Sequence, residues 1–450
     1  MLIESISGIR GIVPSSLNVD LVAKYTLAFH RLCDLGSIII GRDSRPSGSE
    51  LISSVINQLI SAGRDVQDCG ICPTPTVQFA VEDTEAVGGI IITASHNPSD
   101  WNGLKFVRED GCFLNSEQFA HFLKLMKCEE ESENVQRTLC VNPGRYFRFD
   151  QAIRRHIDRI LTIDFIDMEA IRKRKFKVAV DTVNGAAGNA LPTLLEKLNC
   201  EVIKINCDLN GEFTRGTEPL PQHLTELMKV VKEHRCDVGF ATDPDADRLA
   251  IVDETGHPIG EEYTLVLAID DFLKSTGKQE VFVTNLSTTM AVEKVADKYG
   301  CKVERTAVGE INVVERMKQV NARLGGEGNG GVILKDVHLG RDSLVAAVLV
   351  LDRMSRSEKN LSQIVSGLPQ FYMIKDKIDK EKVDLDRIYK QTLKTFDDAD
   401  VIKTDGIKFV WDNRWIHLRP SNTEPIVRIY AEATSINAAK ELINTVKSKL

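Results

Sequence analysis

The sequence predicts an α/β protein with three similar mixed α/β (βαβ-type) domains and a smaller C-terminal α+β domain, arranged around a central cleft. A buried strand, a polar turn and a helix recur in the same order three times, beginning near Ser37, Lys177 and Glu280. After about residue 370 the pattern changes to short strands between two helices, and 450 residues are too many for one core. We therefore expect domains at 1–150, 151–256, 257–370 and 371–450.

Composition indicates an ordinary globular protein whose important cationic residues should be aimed at small anions. Hydrophobic residues make up 42% and charged residues 27% of the chain, which are ordinary proportions. A net charge of -8 argues against bulk nucleic-acid binding, so functional cations should be local. No apolar run approaches the roughly 18 residues of a membrane span, and the first residues lack a signal-peptide pattern. We expect a cytoplasmic monomer or homodimer with no membrane or nucleic-acid partner.

The ten cysteines are scattered through predicted strands and helices, which is typical of reduced, buried thiols. Cys69 and Cys72 form a single CxxC motif. Because no second pair and no nearby histidine accompany them, the motif only weakly indicates a zinc or redox site.

The first module contains a predicted buried strand at 88–95 that ends abruptly at Asn97 and Pro98. Ser95 and His96 therefore follow the carboxyl end of a strand, where ligands bind in open α/β sheets. Strand ends often carry such residues without a function, but here Lys105 follows nearby. Ser95 is the first candidate for chemistry.

Arg10, near the amino terminus, lies between Gly8 and Gly11. Glycines allow a ligand to approach the backbone, and the guanidinium fork suits a phosphate. On its own the pattern is a weak indication that Arg10 binds a phosphate. The module is completed by predicted strands at 37–40 and 65–69 and a helix at 49–62.

The second module ends a buried strand in Asp243, Asp245 and Asp247. Alternating carboxylates in an extended loop point roughly the same way, and hard oxygen ligands suit Mg²⁺ better than zinc. Acidic turns can be purely structural, but three aspartates at the end of a buried strand would repel one another without a cation. The absence of a glycine and a distal glutamate at the required spacing argues against an EF-hand.

The third module reaches Glu327 and Asn329, which are flanked by glycines. These two side chains are the ones able to hydrogen-bond in that turn, and they suit the hydroxyls of a sugar. A dinucleotide-binding fingerprint is excluded because the glycine spacing does not follow a first strand and open a helix.

The last module contains a turn at 419–425 with Arg428 just beyond it. Its hydroxyls, turn amides and two guanidinium groups suit a phosphate dianion, although a capped surface turn has a similar composition. We predict a helix at 380–395 and a tight hairpin turn at Asp412 and Asn413. The other predicted elements are strands near 401 and at 407–411, 415–419 and 425–433, and a helix at 437–449.

Four motifs together resemble the α-D-phosphohexomutases, which include phosphoglucomutases, phosphomannomutases and phosphoglucosamine mutases. They are the serine loop at 93–98, the metal loop at 243–248, the sugar loop at 326–331 and the phosphate loop at 419–425. They occur in the family's order and span essentially the whole chain. The resemblance implies three similar α/β domains and a fourth α+β domain.

The resemblance also implies a reaction and a set of roles. Ser95 would carry a phosphoryl group between the 1- and 6-positions of a hexose phosphate through a 1,6-bisphosphate, which also activates the enzyme. Mg²⁺, one ion per chain, would be held by phosphorylated Ser95 and by Asp243, Asp245 and Asp247. Arg10, His96 and Lys105 would surround the transferring group. The substrate would contact Arg248, Gly309, Glu327, Asn329, Arg419, Ser421, Asn422, Thr423 and Arg428.

Departures from the family concern the substrate. Many members have Ser at the position of Asn329, some have His at that of Gly331, and several place a Lys beside the glycine equivalent to Gly309. The general base is therefore open, with His338 or Lys105 as candidates. We favour glucosamine phosphate over mannose or glucose phosphate. A non-catalytic sugar-phosphate sensor and a metal-dependent phosphatase are the alternatives outside this class.

Overall fold

The computed structural model describes residues 2–131, 142–379, 384–421 and 426–449. The backbone forms four β-sheets, one for each predicted repeat and one for the C-terminal part. Within these ranges no helix is both long enough and apolar enough to cross a bilayer.

The first sheet has seven strands, β1 (Leu2–Ser5), β2 (Gly8–Ile12), β3 (Ile38–Arg42), β4 (Val66–Ile71), β5 (Gly88–Ile92), β6 (Trp101–Arg108) and β7 (Tyr146–Arg148). Their order is β1-β2-β6-β5-β3-β4-β7. The helices are α1 (Val19–Leu32), α2 (Gly48–Ser61), α3 (Thr74–Glu82) and α4 (Ser116–Glu131). Ile38 and Ile40 pack with α1, α2 and α4, whereas Ile39 packs with α3, because successive strand side chains point to opposite faces. The sheet is thereby covered on both faces.

The second and third sheets have four strands each, β8 (Lys177–Asp181), β9 (Glu201–Ile205), β10 (Val238–Thr242) and β11 (Leu249–Asp253), then β12 (Val281–Asn285), β13 (Lys302–Thr306), β14 (Leu324–Glu327) and β15 (Gly331–Leu334). Their helices are α5 (Ala152–Ile160), α6 (Met168–Arg174), α7 (Ala187–Lys197), α8 (Thr225–His234), α9 (Glu262–Thr276), α10 (Ala291–Asp297), α11 (Glu310–Val320), α12 (Ser343–Ser355) and α13 (Leu361–Ser366). One apolar cluster, extending from Ile157 to Leu368, fills the space between the two modules. Their relative position is fixed by this common core.

The fourth sheet is antiparallel and has five strands, β16 (Tyr372–Asp379), β17 (Asp400–Ile402), β18 (Ile407–Trp411), β19 (Arg414–Pro420) and β20 (Ile426–Ala433), with helices α14 (Leu385–Thr395) and α15 (Ile436–Lys447). Its order is β16-β20-β19-β18-β17. Trp411 pairs with Arg414, so Asp412 and Asn413 form the predicted two-residue turn. The predicted α+β class of this module is confirmed.

The three larger sheets share one topology, which confirms the predicted repeat. Numbered within each module, the strands lie in the order 4-3-1-2, as β6-β5-β3-β4, β11-β10-β8-β9 and β15-β14-β12-β13. The first three strands are parallel, and the fourth returns antiparallel to the third. The loops between third and fourth strands therefore occupy equivalent places, and they contain Ser95, the three aspartates and Asn329.

The glycines around Arg10 have a structural reason that differs from the predicted access for a ligand. Residues 8–12 form strand β2, which pairs with β6. A Cβ atom on Gly8 would lie 2.4 Å from the Leu104 carbonyl oxygen, and one on Gly11 would lie 2.9 Å from Ser16 Oγ. These glycines thus make room for neighbouring protein atoms rather than for a ligand.

Candidate active site

Ser95 follows β5 by three residues and is held in a left-handed conformation, with φ of 52°. Its amide donates to Thr93 Oγ1 at 2.9 Å, and Thr93 donates to Asp43 Oδ2 at 2.6 Å. Arg45 Nη2 donates to the Ser95 carbonyl oxygen at 2.8 Å. These bonds offset a conformation that costs a non-glycine residue about 1 kcal/mol or more. Asp43 and Arg45, for which the sequence predicted no function, thus position the serine.

The Ser95 hydroxyl joins the first module to the second. Its Oγ lies 3.3 Å from His96 Nδ1 and 3.4 Å from Asp243 Oδ2. Thr74, at the start of α3, donates through Oγ1 to Asp245 Oδ2 at 2.9 Å. The predicted convergence of the serine and metal loops is therefore present.

The three aspartates of the metal loop form a buried cluster whose ligand atoms lie within 4.8 Å of one another. In the described part of the chain, Asp245 Oδ1 and Asp247 Oδ1 are buried without a hydrogen-bond donor. Burial beside Asp247 and Asp245 raises the pKa of Asp243 well above its usual value. Oxygen-only donors with unsatisfied lone pairs fit a hard divalent cation such as Mg²⁺.

Lys105, on β6, neutralises part of this charge. Its Nζ lies 2.7 Å from Asp245 Oδ2 and 3.4 Å from Asp247 Oδ2. Burial lowers the pKa of Lys105, but the two aspartates outweigh it and the net shift is upward. The ammonium group is thus kept charged beside the serine and metal loops.

Two arginines flank the same space. Arg248 donates to Glu218 Oε1 at 2.9 Å and lies 3.1 Å from His96 Nδ1. Arg10 donates to Asn97 Oδ1 at 3.0 Å, and burial lowers its pKa to about 10. Burial, together with Arg248 and Arg10, lowers the pKa of His96 well below its usual value. The region around Ser95 therefore combines a neutral imidazole with cations that suit a phosphoryl group.

Arg341 connects the metal loop to the sugar loop. Its guanidinium donates to Asp247 Oδ2 at 2.6 Å, Glu327 Oε2 at 2.8 Å and Glu310 Oε2 at 3.0 Å. Burial lowers the pKa of Arg341, but the three carboxylates raise it by more, so the net shift is upward. Sequence patterns do not reveal Arg341, because its partners lie 14 to 94 positions away.

Glu327 is enclosed by protein donors. Its Oε1 accepts from Asn285 Nδ2 at 2.7 Å and from the Gly309 amide at 3.1 Å. Asn329 Nδ2 lies 3.5 Å from Glu327 Oε2, and Asn329 Oδ1 accepts the Gly331 amide at 3.2 Å. Gly309 has φ of 126° and precedes α11. The predicted sugar-binding residues thus form one network.

The predicted phosphate-binding residues belong to a separate group on the fourth sheet. Arg419 donates to Asp405 Oδ2 at 2.8 Å, and the same oxygen accepts the Val308 amide at 3.0 Å. Arg428 donates to the Tyr430 hydroxyl at 3.2 Å, and the Ser421 amide bonds the Ile426 carbonyl oxygen. Asp405 thus links this group to the loop before α11. The other two predicted residues, Asn422 and Thr423, lie outside the described residues.

His338, the other candidate base, contacts Asp342. It is buried, and its Nε2 lies 3.2 Å from Asp342 Oδ2. Cys69 and Cys72 are buried free thiols. Of the two candidate bases, Lys105 alone touches the aspartate cluster, and there it is held as a cation.

Sequence comparison matches all four modules to descriptions of one family. Residues 3–133, 154–256 and 260–372 match phosphoglucomutase/phosphomannomutase alpha/beta/alpha domains I, II and III. Residues 375–448 match the C-terminal domain of the same family. A fold of three repeated α/β modules and a fourth antiparallel one, with a serine beside an aspartate cluster, is that of the phosphohexomutase class. This chain belongs to the phosphoglucomutase/phosphomannomutase family.

Similar proteins agree with this assignment. A phosphoglucomutase/phosphomannomutase of Thermococcus kodakarensis is 36% identical over 445 residues, which is 97% of this chain and 95% of the relative. A phosphoglucosamine/phosphogalactosamine mutase of Sulfurisphaera tokodaii is 33% identical over 98% of this chain and 97% of its own. A crystal structure of a phosphoglucomutase/phosphomannomutase family protein from Burkholderia thailandensis superposes with a TM-score of 0.86 at 26% identity, covering 100% of this chain and 98% of that one.

Proposed function

We propose that this protein moves a phosphoryl group between the 1- and 6-positions of a hexose phosphate through phosphorylated Ser95 and a bisphosphate intermediate. The observation that carries the proposal is the 3.4 Å approach of Ser95 Oγ to Asp243 Oδ2 within a buried, cation-lined site. Phosphoryl transfer depends mainly on alignment and on neutralising charge, and these are the two properties this arrangement supplies.

Asp243, Asp245 and Asp247, with the phosphorylated Ser95, would hold Mg²⁺. When bound, the ion would neutralise charge on the transferring group. The carboxylates themselves would then gain the partner that two of their buried oxygens lack within the described residues.

The remaining residues of the first two modules would align the phosphoryl group. Arg10, Arg248 and Lys105 present cations to it. His96 Nδ1, 3.3 Å from Ser95 Oγ, is placed to exchange a proton with the serine hydroxyl. Lys105 acts as a fixed cation rather than as a base, because two carboxylates hold its ammonium group.

The other end of the substrate would be held by the third and fourth modules. Gly309, Glu327 and Asn329 would contact sugar hydroxyls. The phosphate that does not react would be bound by Arg419, Ser421, Asn422, Thr423 and Arg428. Because the bisphosphate must turn over between transfers, this distal site must accept either phosphate, and a hexose 1,6-bisphosphate would also prime Ser95.

We favour glucosamine phosphate as the substrate, with mannose and glucose phosphates as the alternatives. Glu310 and Glu327 both pair with the single guanidinium of Arg341, so two carboxylates face one cation. The surplus negative charge would favour a protonated amine over a neutral hydroxyl. The names of the similar archaeal proteins include phosphoglucosamine mutase, and they also include phosphoglucomutase/phosphomannomutase.

The test supplies each 6-phosphate sugar with Mg²⁺ and a trace of its 1,6-bisphosphate and follows the products by phosphorus NMR. We expect the 1-phosphate to form fastest from glucosamine 6-phosphate, and Ser95→Ala to reduce the rate by about 10⁴-fold or more. Ser99→Ala, an exposed serine of the same loop, is the control. Net release of inorganic phosphate would indicate a phosphatase, and binding without turnover would indicate a sensor.

Three other expectations stay predictions. They are a cytoplasmic location, a monomeric or dimeric state, and domain boundaries near residues 150, 256 and 370.

A further inference from the structure

A second cluster of metal-ligating side chains lies outside the site described above. His156 on α5, His338 after β15 and Asp342 before α12 form it, and we call it the histidine cluster. The three residues are at most 1% exposed, and their ligand atoms lie within 4.8 Å of one another. Residues 182 positions apart in the chain thus converge on one buried point.

The distances within the histidine cluster suit a small cation. His156 Nε2 lies 2.9 Å and His338 Nε2 lies 3.2 Å from Asp342 Oδ2. A tetrahedral zinc ion with bonds of about 2.0 Å separates its ligand atoms by about 3.3 Å. The nitrogen and oxygen atoms are therefore already near the spacing that such an ion requires.

Hydrogen bonding leaves this cluster incomplete. Within the described residues, His156 Nε2 lacks an aligned hydrogen bond despite its short distance to Asp342. His156 Nδ1 lies 3.0 Å from Thr76 Oγ1. A metal-bound histidine commonly hydrogen-bonds through its other ring nitrogen, which directs the free nitrogen to the metal. Thr76 is placed to do this for His156.

We propose that His156, His338 and Asp342 bind a first-row divalent cation of the zinc type. Two imidazoles and one carboxylate favour zinc and its neighbours, whereas the all-oxygen aspartate cluster favours magnesium. The two sites thus differ in donor chemistry.

The proposed ion would stabilise the residues that hold the metal loop in place. Asp342 Oδ1 accepts the Leu344 amide at 2.8 Å and so caps α12. The next residue, Ser343, donates to the Ala246 carbonyl oxygen at 2.7 Å, and the preceding residue, Arg341, holds Asp247. Thr76 lies on α3, which begins at Thr74 beside Asp245. The ion would therefore tie α3, α5 and α12 together around the metal loop.

The experiment titrates chelator-treated full-length protein with Co²⁺ in a large excess of Mg²⁺. We expect one equivalent of Co²⁺ to bind with the visible bands of a histidine-ligated ion, because Mg²⁺ competes only at the aspartate cluster. Asp245→Asn should keep these bands and His338→Gln should lose them. His121→Gln, which changes an exposed histidine, should keep them.

A second measurement does not depend on a variant that folds. Zinc-edge X-ray absorption of the wild-type protein loaded with one equivalent of Zn²⁺ in excess Mg²⁺ should show two imidazole ligands. Oxygen-only ligation, or no Co²⁺ or Zn²⁺ retained against Mg²⁺, would overturn the proposal. Retention of the bands in a folded His338→Gln protein would also overturn it. None of these outcomes depends on mutase activity.

Discussion

The loops that join the third and fourth strands of the second and third modules occupy the same topological place. They differ in how their carboxylate oxygens are hydrogen-bonded. In the second module, Asp245 Oδ1 and Asp247 Oδ1 are buried without a donor among the described residues. In the third, both oxygens of Glu327 accept hydrogen bonds from protein groups. The second-module loop thus leaves buried carboxylate oxygens without donors, whereas protein groups donate to both oxygens of Glu327.

The difference follows from how many charges each loop buries. Buried carboxylates are stable only with donors or counter-charges. Glu327 has Arg341 and two neutral donors, whereas the second loop gathers three aspartates around Lys105 and the same Arg341. Arg341 is therefore the residue on which both loops depend.

Replacing Arg341 with Met should damage both loops at once. Removing one partner of a buried ion pair costs about 3–5 kcal/mol, because the other charges stay buried. We expect a lower melting temperature by calorimetry. Arg316→Met is the control, since Arg316 pairs with Glu304 at the surface and should cost about 1 kcal/mol or less. Equal effects of the two changes would contradict the role of Arg341.

Glu262 gives a second test of the third-module loop. Its carboxylate lies directly against Gly328 of that loop, where a Cβ atom would collide with it. Burial raises the pKa of Glu262 from 4.5 to about 7. Between these values the folded protein holds a proton that the unfolded chain has lost, so this contribution to stability falls as pH rises. We expect the unfolding free energy of wild type relative to Glu262→Gln to drop by about 3 kcal/mol between pH 4.5 and pH 7.

Glu261→Gln is the matched control for Glu262. Both glutamates pair with Lys375, but Lys375 outweighs burial at Glu261 and lowers its pKa. The folded Glu261 therefore stabilises the protein above its unfolded pKa, and this contribution is lost as pH falls. The two variants should shift the pH profile of the melting temperature in opposite directions. A shift in the same direction would contradict the assigned burial.

The smallest expected effects come from one substitution in each loop, with stability measured in the absence of divalent metal. Asp243→Asn should raise the unfolding free energy by about 1 kcal/mol and with it the melting temperature. The change removes the repulsion from Asp245 and Asp247 but keeps an acceptor for the Arg248 amide. Glu327→Gln should lower stability by about 2 kcal/mol, because it weakens the pair with Arg341. Destabilisation of similar size by both changes would remove the distinction between the loops.

Sequence patterns predicted the parts of this arrangement that depend on local order. Strands β5 and β10 are mostly apolar runs that end in polar turns, so Ser95 and the aspartates were found at strand ends. Strand β6 was missed because Asn102, Gly103 and Lys105 interrupt its apolar pattern. A Cβ on Gly103 would lie 2.4 Å from the Ile9 carbonyl oxygen, so close strand packing explains this residue.

The missed site residues act through distant partners. Arg45 reaches Ser95 across 50 positions and Arg341 reaches Asp247 across 94. No local periodicity encodes such contacts. His338, one of the two candidate bases, folds against Asp342, a contact that the sequence did not predict.

The central claim is that Ser95 carries the phosphoryl group, and peptide mass spectrometry after incubation with a hexose 1,6-bisphosphate and Mg²⁺ tests it most directly. The account predicts one phosphoryl group on the peptide that contains Ser95, removed again when excess hexose 6-phosphate is added. Sugar turnover with Ser95 never modified, or a stable phosphate on another residue, would contradict it.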